Sequence, residues 1–398
     1  MGLSKVVFTA VLAFGFTAYP PASFARAATA AEAEATTEAA LNRVFEEIGR
    51  QRFDLALSQV EALIRLKPNF RLAHLIKGDL LLARARPLLT MGNAPNAPAG
   101  RMEELRDEAT ARLQAYRNRP ATDRMPRYLM QLRPEQKYAV VVDTRRSRLY
   151  VYQNEKNRPR FVADYYISSG KKGSQKVREG DQRTPIGVYH VTASLPRQKL
   201  SDFYGHGAYP INYPNEWDRR QGRNGHGIWL HGTPSDTYSR PPRASDGCVV
   251  LANTDLDIVG RYLQIGLTPV IISEQIEWLG LDDWDRERRQ FRDQLEKWRT
   301  DWETRDTDKY LTHYSKRFAS GDQDLNAWSK QKRQVNTGKT WIKVGISNLS
   351  MLRNPGKEDL VVVSFDQDYR SSNLSNTMKK RQYWVKEEGR WRIIFEGA

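Results

Sequence analysis

The chain has 398 residues, with 63 Lys or Arg against 47 Asp or Glu, a formal charge of +16 and a hydrophobic content of 39%. That length is enough for two or three domains with separate cores, and a single cysteine excludes an internal disulfide framework. The positive balance suits a polyanionic partner, although charge kept for solubility explains it equally well.

At the start, Lys5 precedes an apolar run from Val6 to Ala18, followed by Pro20, Pro21 and small residues. This is the layout of a signal peptide over residues 1–27, cleaved after Ala25 or Ala27. The run is shorter than the roughly 20 residues of a spanning helix, and no later stretch is apolar enough, so no membrane span is expected in the mature chain. Without a nucleic-acid motif, an exported chain points away from nucleic acid and toward an anionic envelope polymer.

Residues 37–130 read as a helical region. Leu41, Val44, Phe45 and Ile48, then Leu55, Leu57, Val60, Leu63 and Ile64, fall at helical spacing. Arg50, Gln51 and Arg52 separate two helices, and Pro68 ends the second. A third helix follows, with His74 expected in its core. "RFDLAL" and "KPNF" resemble a tetratricopeptide-type pair, but a single pair cannot bury its own face, so it is expected to pack on another domain or a second copy. Residues 90–100, rich in Pro, Gly and Asn, read as a loop. A polar helix is expected from Met102 to Arg117.

The pattern then changes to strands. Tyr138 to Val142 is a short apolar run, Arg148 to Tyr152 alternates, and Thr144 to Ser147 reads as the turn between them. Further strands are expected over 163–167, 187–193, 227–230 and 270–272. After Glu274, long helices give way to strands, the order of an α+β domain with helices on one side. "DQDYRSSNLSN" and "RQYWVKEEGRWRIIFEG" make residues 280–398 resemble the nuclear-transport-factor-2-like (NTF2-like) fold, a cone that often holds a ligand pocket. His313 has acidic sequence neighbours but no evident partner there, so this domain reads as a binding or assembly module for a homo-oligomer or an envelope protein.

The chemistry gathers around Cys248. A free thiol outside the cytoplasm is either buried and inert or chemically employed, and these considerations alone leave both open. His231 lies upstream at the end of the apolar "GIWLHG", and a polar loop containing Pro234, Pro241 and Pro242 returns the chain to Gly247 and Cys248. Histidine can take the thiol proton. Gly247 permits a tight turn, and the amides of Gly247 and Cys248 are candidates to face an oxyanion.

His231 followed by "SDGC" (Ser245 to Cys248), with "VVVDTRRSRLYVY" and "GDQRTPIGVYHV" upstream, resembles the YkuD-type L,D-transpeptidases over residues 137–274. The resemblance implies a mainly β, sandwich-like domain that attacks peptidoglycan stem peptides between meso-diaminopimelate and D-Ala. Cys248 would form a thioester, with His231 as general acid and base, and the acyl group would pass to an amine or to water. Neither metal nor organic cofactor is implied.

Two positions depart from the family pattern: Asp246 stands where many members have histidine, and Val250 where they have arginine. Together with "YPINYPNEWDRRQGRNGHGIWLHG" and the NTF2-like ending, they make the chain similar to the branch that includes L,D-carboxypeptidases of cell-shape determination. Hydrolysis therefore stands as an alternative to transpeptidation. A catalytically silent envelope-binding scaffold, with Cys248 merely buried, is a third reading. Ser245, Asp246, His226, Tyr209 and His206 are further candidates for substrate contact, with a turn role open for Ser245 and a solvated loop for His206 and Tyr209. His190 reads as structural. The expected whole is a multidomain α+β chain: α-helical N-terminal region, β sandwich-like catalytic domain, and α+β cone-like C-terminal domain.

Overall fold

The computed structural model describes residues 37–88, 90–92 and 98–397. The expected signal segment and part of the 90–100 loop lie outside the described residues. Among the described residues no helix is long and apolar enough to cross a membrane.

The N-terminal region begins with helix α1 over 37–49, α2 (Phe53–Leu66), α3 (Arg71–Ala83) and α4 (Ala99–Arg117). Leu41, Val44, Leu57, Val60, Leu63, Phe70, Leu72 and Ile76 form its core, closed by Ala109 from α4 and by Tyr238 and Ala252 from the next domain. The face that a helical pair cannot bury alone is thus covered within the same chain. His74 is not in that core. It is exposed, because the buried apolar positions of α3 are Leu72, Ala73, Ile76 and Leu80, and its Nε2 lies 2.7 Å from the Pro68 carbonyl.

Two sheets build the middle domain. A five-stranded sheet runs in the order Arg158–Tyr166, Arg148–Glu155, Tyr138–Asp143, Pro269–Ser273, Gly187–His190, with only the third and fourth strands parallel. A four-stranded sheet runs Val249–Val250, Trp229–His231, Gly207–Pro210, Leu195–Pro196. Val140, Val142, Val151, Leu230, Val249, Leu251, Val270 and Ile272 lie in the core between them. The alternate residues Ala139, Val141 and Ile271 pack outward into a second cluster with Trp284 and Leu352. With both faces covered, Tyr138–Asp143 reads as an unbroken apolar run rather than an alternating one.

In the C-terminal domain, the helix Leu281–Glu303 and two shorter helices precede long antiparallel strands, Ile342–Asn354, Leu360–Ser371, Leu374–Glu387 and Arg390–Gly397. A fifth strand, Leu129–Gln131, enters this sheet from ahead of the catalytic domain and pairs with Ile342–Asn354. Trp298, Trp302, Tyr310, Phe365 and Trp384 fill the interior. His313 does have partners: its Nε2 lies 2.8 Å from Asp301 Oδ2, and Gln294 donates to its Nδ1 at 3.2 Å. Asp301 sits on the preceding helix, so only tertiary packing brings it to the ring.

Candidate active site

Trp229–His231 and Val249–Val250 are neighbouring parallel strands with Leu230 opposite Val249 and His231 opposite Val250. Leu230 and Val249 point into the core. Side chains alternate along a strand, so His231 and Val250 face the other way, and so does Cys248, two residues before Val250. This register sets His231 level with Val250, two residues beyond Cys248, which lies just ahead of its strand.

The turn before Cys248 is built by two residues. Gly247 has φ of +127°, and a Cβ there would lie 2.7 Å from the Arg183 carbonyl oxygen and 3.1 Å from Ile228 Cδ1. Only glycine fits such a backbone without displacement. Ser245, buried on the short strand Arg243–Ser245, donates to the Cys248 carbonyl at 2.6 Å and accepts from the Gly247 N–H at 3.1 Å. Ser245 therefore holds the turn, and the Gly247 amide is engaged there.

Cys248 is partly exposed, and its thiol donates to the Gly227 carbonyl at 3.4 Å. Burial of the sulfur pushes its pKa up to about 11, with Asp246 acting in the same direction; the Trp229 backbone N–H, Arg240 and Lys176 oppose this. His231 is buried, with the rings of Tyr204 and Phe203 at 5.1 and 5.9 Å between centroids. Its Nδ1 lies 2.7 Å from the Gly232 carbonyl oxygen, which can only accept, so this bond assigns the proton of the neutral ring to Nδ1 and the lone pair to Nε2. Burial pulls the His231 pKa down to about 4, outweighing that hydrogen bond, and Arg240 lowers it further. The resting pair at neutral pH is a thiol beside a neutral imidazole.

The other candidates have partners of their own. Asp246 is exposed and bonded to Lys171 at 3.2 Å and Gln182 at 3.1 Å. His226 lies before the strand, exposed, with Nε2 3.2 Å from Glu179. His206 sits in an exposed turn with Nδ1 2.8 Å from Asp257, and its N–H donates to Asn253. Tyr209 pairs with Leu230 and packs on the central core, the face opposite His231. Tyr209 is half-buried at the edge of that core. His190 is half-buried on the edge strand of the larger sheet, its N–H donating to Asn212.

No sequence pattern marks Phe203, Tyr204 or Arg240. Phe203 and Tyr204 come from a short 3-10 turn, Asp202–Tyr204, that wraps over the His231 ring. Arg240 belongs to the loop between base and thiol, with its guanidinium 4.7 Å from the Phe203 ring centroid.

Residues 137–272 match the YkuD family, the L,D-transpeptidase catalytic domain, and residues 290–397 match the Cds6 C-terminal NTF2-like domain. The solved structure of Bd1075 from Bdellovibrio bacteriovorus is 27% identical and covers 69% of this chain and 98% of its own, with a TM-score of 0.62. The helical cell shape determining protein Pgp2 from Campylobacter jejuni shares the fold at 24% identity, covering 68% of this chain and 95% of its own, with a TM-score of 0.57. Comparison with curated proteins gives no match. The chain thus carries a YkuD-type L,D-transpeptidase catalytic domain followed by a C-terminal NTF2-like domain.

Proposed function

We propose that the protein is an exported cysteine acyltransferase that cleaves peptidoglycan stem peptides between diaminopimelate and D-Ala. A peptidoglycan-related function of the L,D-transpeptidase family follows from the catalytic domain. The finer reading is supported by one observation: the strand register sets His231 level with Val250, two residues beyond Cys248, with the His231 Nδ1 beside the Gly232 carbonyl.

In this reading His231 Nε2 takes the Cys248 proton as the sulfur attacks the diaminopimelate carbonyl carbon. The Cys248 amide faces the oxygen that becomes negative. Collapse breaks the C–N bond, His231 returns the proton to the departing D-Ala amine, and a thioester remains on Cys248. An incoming amine then gives up a proton to His231 and takes the acyl group, restoring the thiol. Because both groups rest neutral, no thiolate has to be maintained beside the buried ring.

Water as the acceptor, giving a tripeptide, is the second reading. Asp246 favours it, since an exposed carboxylate tied to Lys171 and Gln182 replaces the histidine donor of many family members at the rim.

The test is mass spectrometry of disaccharide-tetrapeptide incubated with the protein or with Cys248→Ala, with and without a D-amino acid. Exchange or dimer formation supports transfer, and tripeptide alone supports hydrolysis. No product together with an unreactive thiol removes the enzyme reading in favour of an envelope-binding scaffold.

A further inference from the structure

Two arginines lie between His231 and Cys248 in sequence. Arg243 is exposed, and its charge acts on Glu274. Arg240 is half-buried, stacked on Phe203, whose ring in turn lies against His231. Its charge is felt by both His231 and Cys248.

Buried Arg112, Arg148 and Arg353 have acidic partners, and half-buried Arg220 is met by the Ala319 and Arg317 carbonyls. Arg112 bonds Glu108, Arg148 bonds Asp164, and Arg353 pairs with Glu287 and Asp359. Arg240 has no carboxylate within ion-pair distance among the described residues; the negative charges that act on it are those of Cys248, when ionised, and Asp246. A guanidinium removed from water without an acidic partner is unfavourable unless an anion completes it.

The backbone around Arg240 is fixed. Tyr166 donates its hydroxyl to the Arg240 carbonyl at 2.9 Å, Ser239 donates to Glu108 at 2.6 Å, and Pro241 and Pro242 restrict the residues that follow. The residue is therefore anchored at its backbone, with its guanidinium on the Phe203 ring and its charge acting on Cys248. Position 250, where many family members carry arginine, is a buried valine here.

We propose that Arg240 anchors a substrate carboxylate next to the scissile bond, supplying from the loop the charge that position 250 lacks. The inference rests on the stem-peptide reading above, because those substrates carry carboxylates at the terminal D-residue and on diaminopimelate. The planar fork of Arg240 can grip either one through two parallel hydrogen bonds.

The experiment compares wild type, Arg240→Gln and Arg240→Lys on three substrates: the tetrapeptide, its C-terminal amide, and the tetrapeptide amidated on diaminopimelate. In Arg240→Gln, KM for the tetrapeptide is expected to rise roughly 10- to 100-fold, as for loss of a hydrogen bond to a charged group, with kcat changed less. Arg240→Lys should recover part of the loss. The amide that wild type discriminates against, and Arg240→Gln does not, identifies which carboxylate is held.

A second readout needs no turnover. Iodoacetate and iodoacetamide both alkylate the thiolate, so the ratio of their rates cancels any change in the thiol pKa and reports local positive charge. Wild type should favour iodoacetate relative to Arg240→Gln. Unchanged KM and an unchanged ratio in Arg240→Gln, with Cys248-dependent cleavage intact, would overturn the anchor and leave the proposed function standing. A ratio that falls in Arg240→Gln while no stem peptide is cleaved by wild type would keep the anion site and remove the proposed substrate.

Discussion

The depressed basicity of His231 makes a quantitative prediction about stability. In the unfolded chain the imidazole titrates at 6.5, and burial beneath Phe203 and Tyr204 brings it down to about 4 in the fold. Between those values the unfolded state binds the extra proton, so the term is absent above pH 6.5 and stability falls as pH drops through the window. At about 1.4 kcal/mol for each tenfold step, the full loss is about 3 kcal/mol by pH 4. Urea unfolding of wild type and His231→Gln from pH 7.5 to 4 should show the difference between them moving by that amount, because glutamine does not titrate. The same shift puts the acid limb of kcat/KM near pH 4 rather than 6.5. An imidazole proton resonance that titrates at or above 6.5 would refute the reasoning, since burial would then not be depressing its basicity.

Gly247→Ala should abolish acylation and lower Tm, because its Cβ meets the Arg183 carbonyl at 2.7 Å on a backbone with φ of +127°; intact-mass trapping of the thioester and a thermal melt check this. Ser245→Ala removes the bonds that tie the turn at the Cys248 carbonyl and the Gly247 amide. It should cost about 1–3 kcal/mol in urea unfolding and slow alkylation of Cys248 by iodoacetamide. Tyr238→Ala, which empties a buried site against the Phe70 ring at 4.6 Å, should destabilise the chain by about 3 kcal/mol and lower kcat/KM although Tyr238 lies outside the His231 and Cys248 pair.

Local patterns carried much of the architecture. The spacing of Leu41, Val44 and Val60 and the Pro68 stop are helical signals that need no distant partner, and α1 and α2 follow them. Tyr138–Asp143 and Arg148–Glu155 appear on either side of the turn at 144–147 for the same reason. The direction of Tyr209 depends on pairing with Leu230, a register between strands separated in sequence that no local window shows. Leu129–Gln131 is three residues long and gains its hydrogen bonds from a strand more than two hundred residues later, so no local window contains its cause. Arg240 was hidden similarly: in sequence it is one of two basic residues in a polar loop, and only the stacking on Phe203 sets it apart.

The helical region explains how such a loop can be accurate. A loop of this length carrying a cation between base and thiol would sample many arrangements on its own, and ordering each residue costs roughly 1–2 kcal/mol. Here the start of α3 and the side of α4 grip it along successive residues. Asn69 donates to the Ser235 carbonyl at 3.2 Å, and the Tyr238 N–H donates to the Asn69 carbonyl at 3.4 Å. Phe70 stacks on Tyr238, and Glu108 accepts from Ser239 one residue before Arg240. Arg112, itself bonded to Glu108, lies over the Tyr166 ring at 3.8 Å, and Tyr166 in turn holds the Arg240 carbonyl. The apolar face that a lone helical pair must hide and the loop that a cysteine site must order are therefore one interface. A change anywhere along it reaches the charge beside Cys248 through packed contacts, without touching the sulfur or the imidazole.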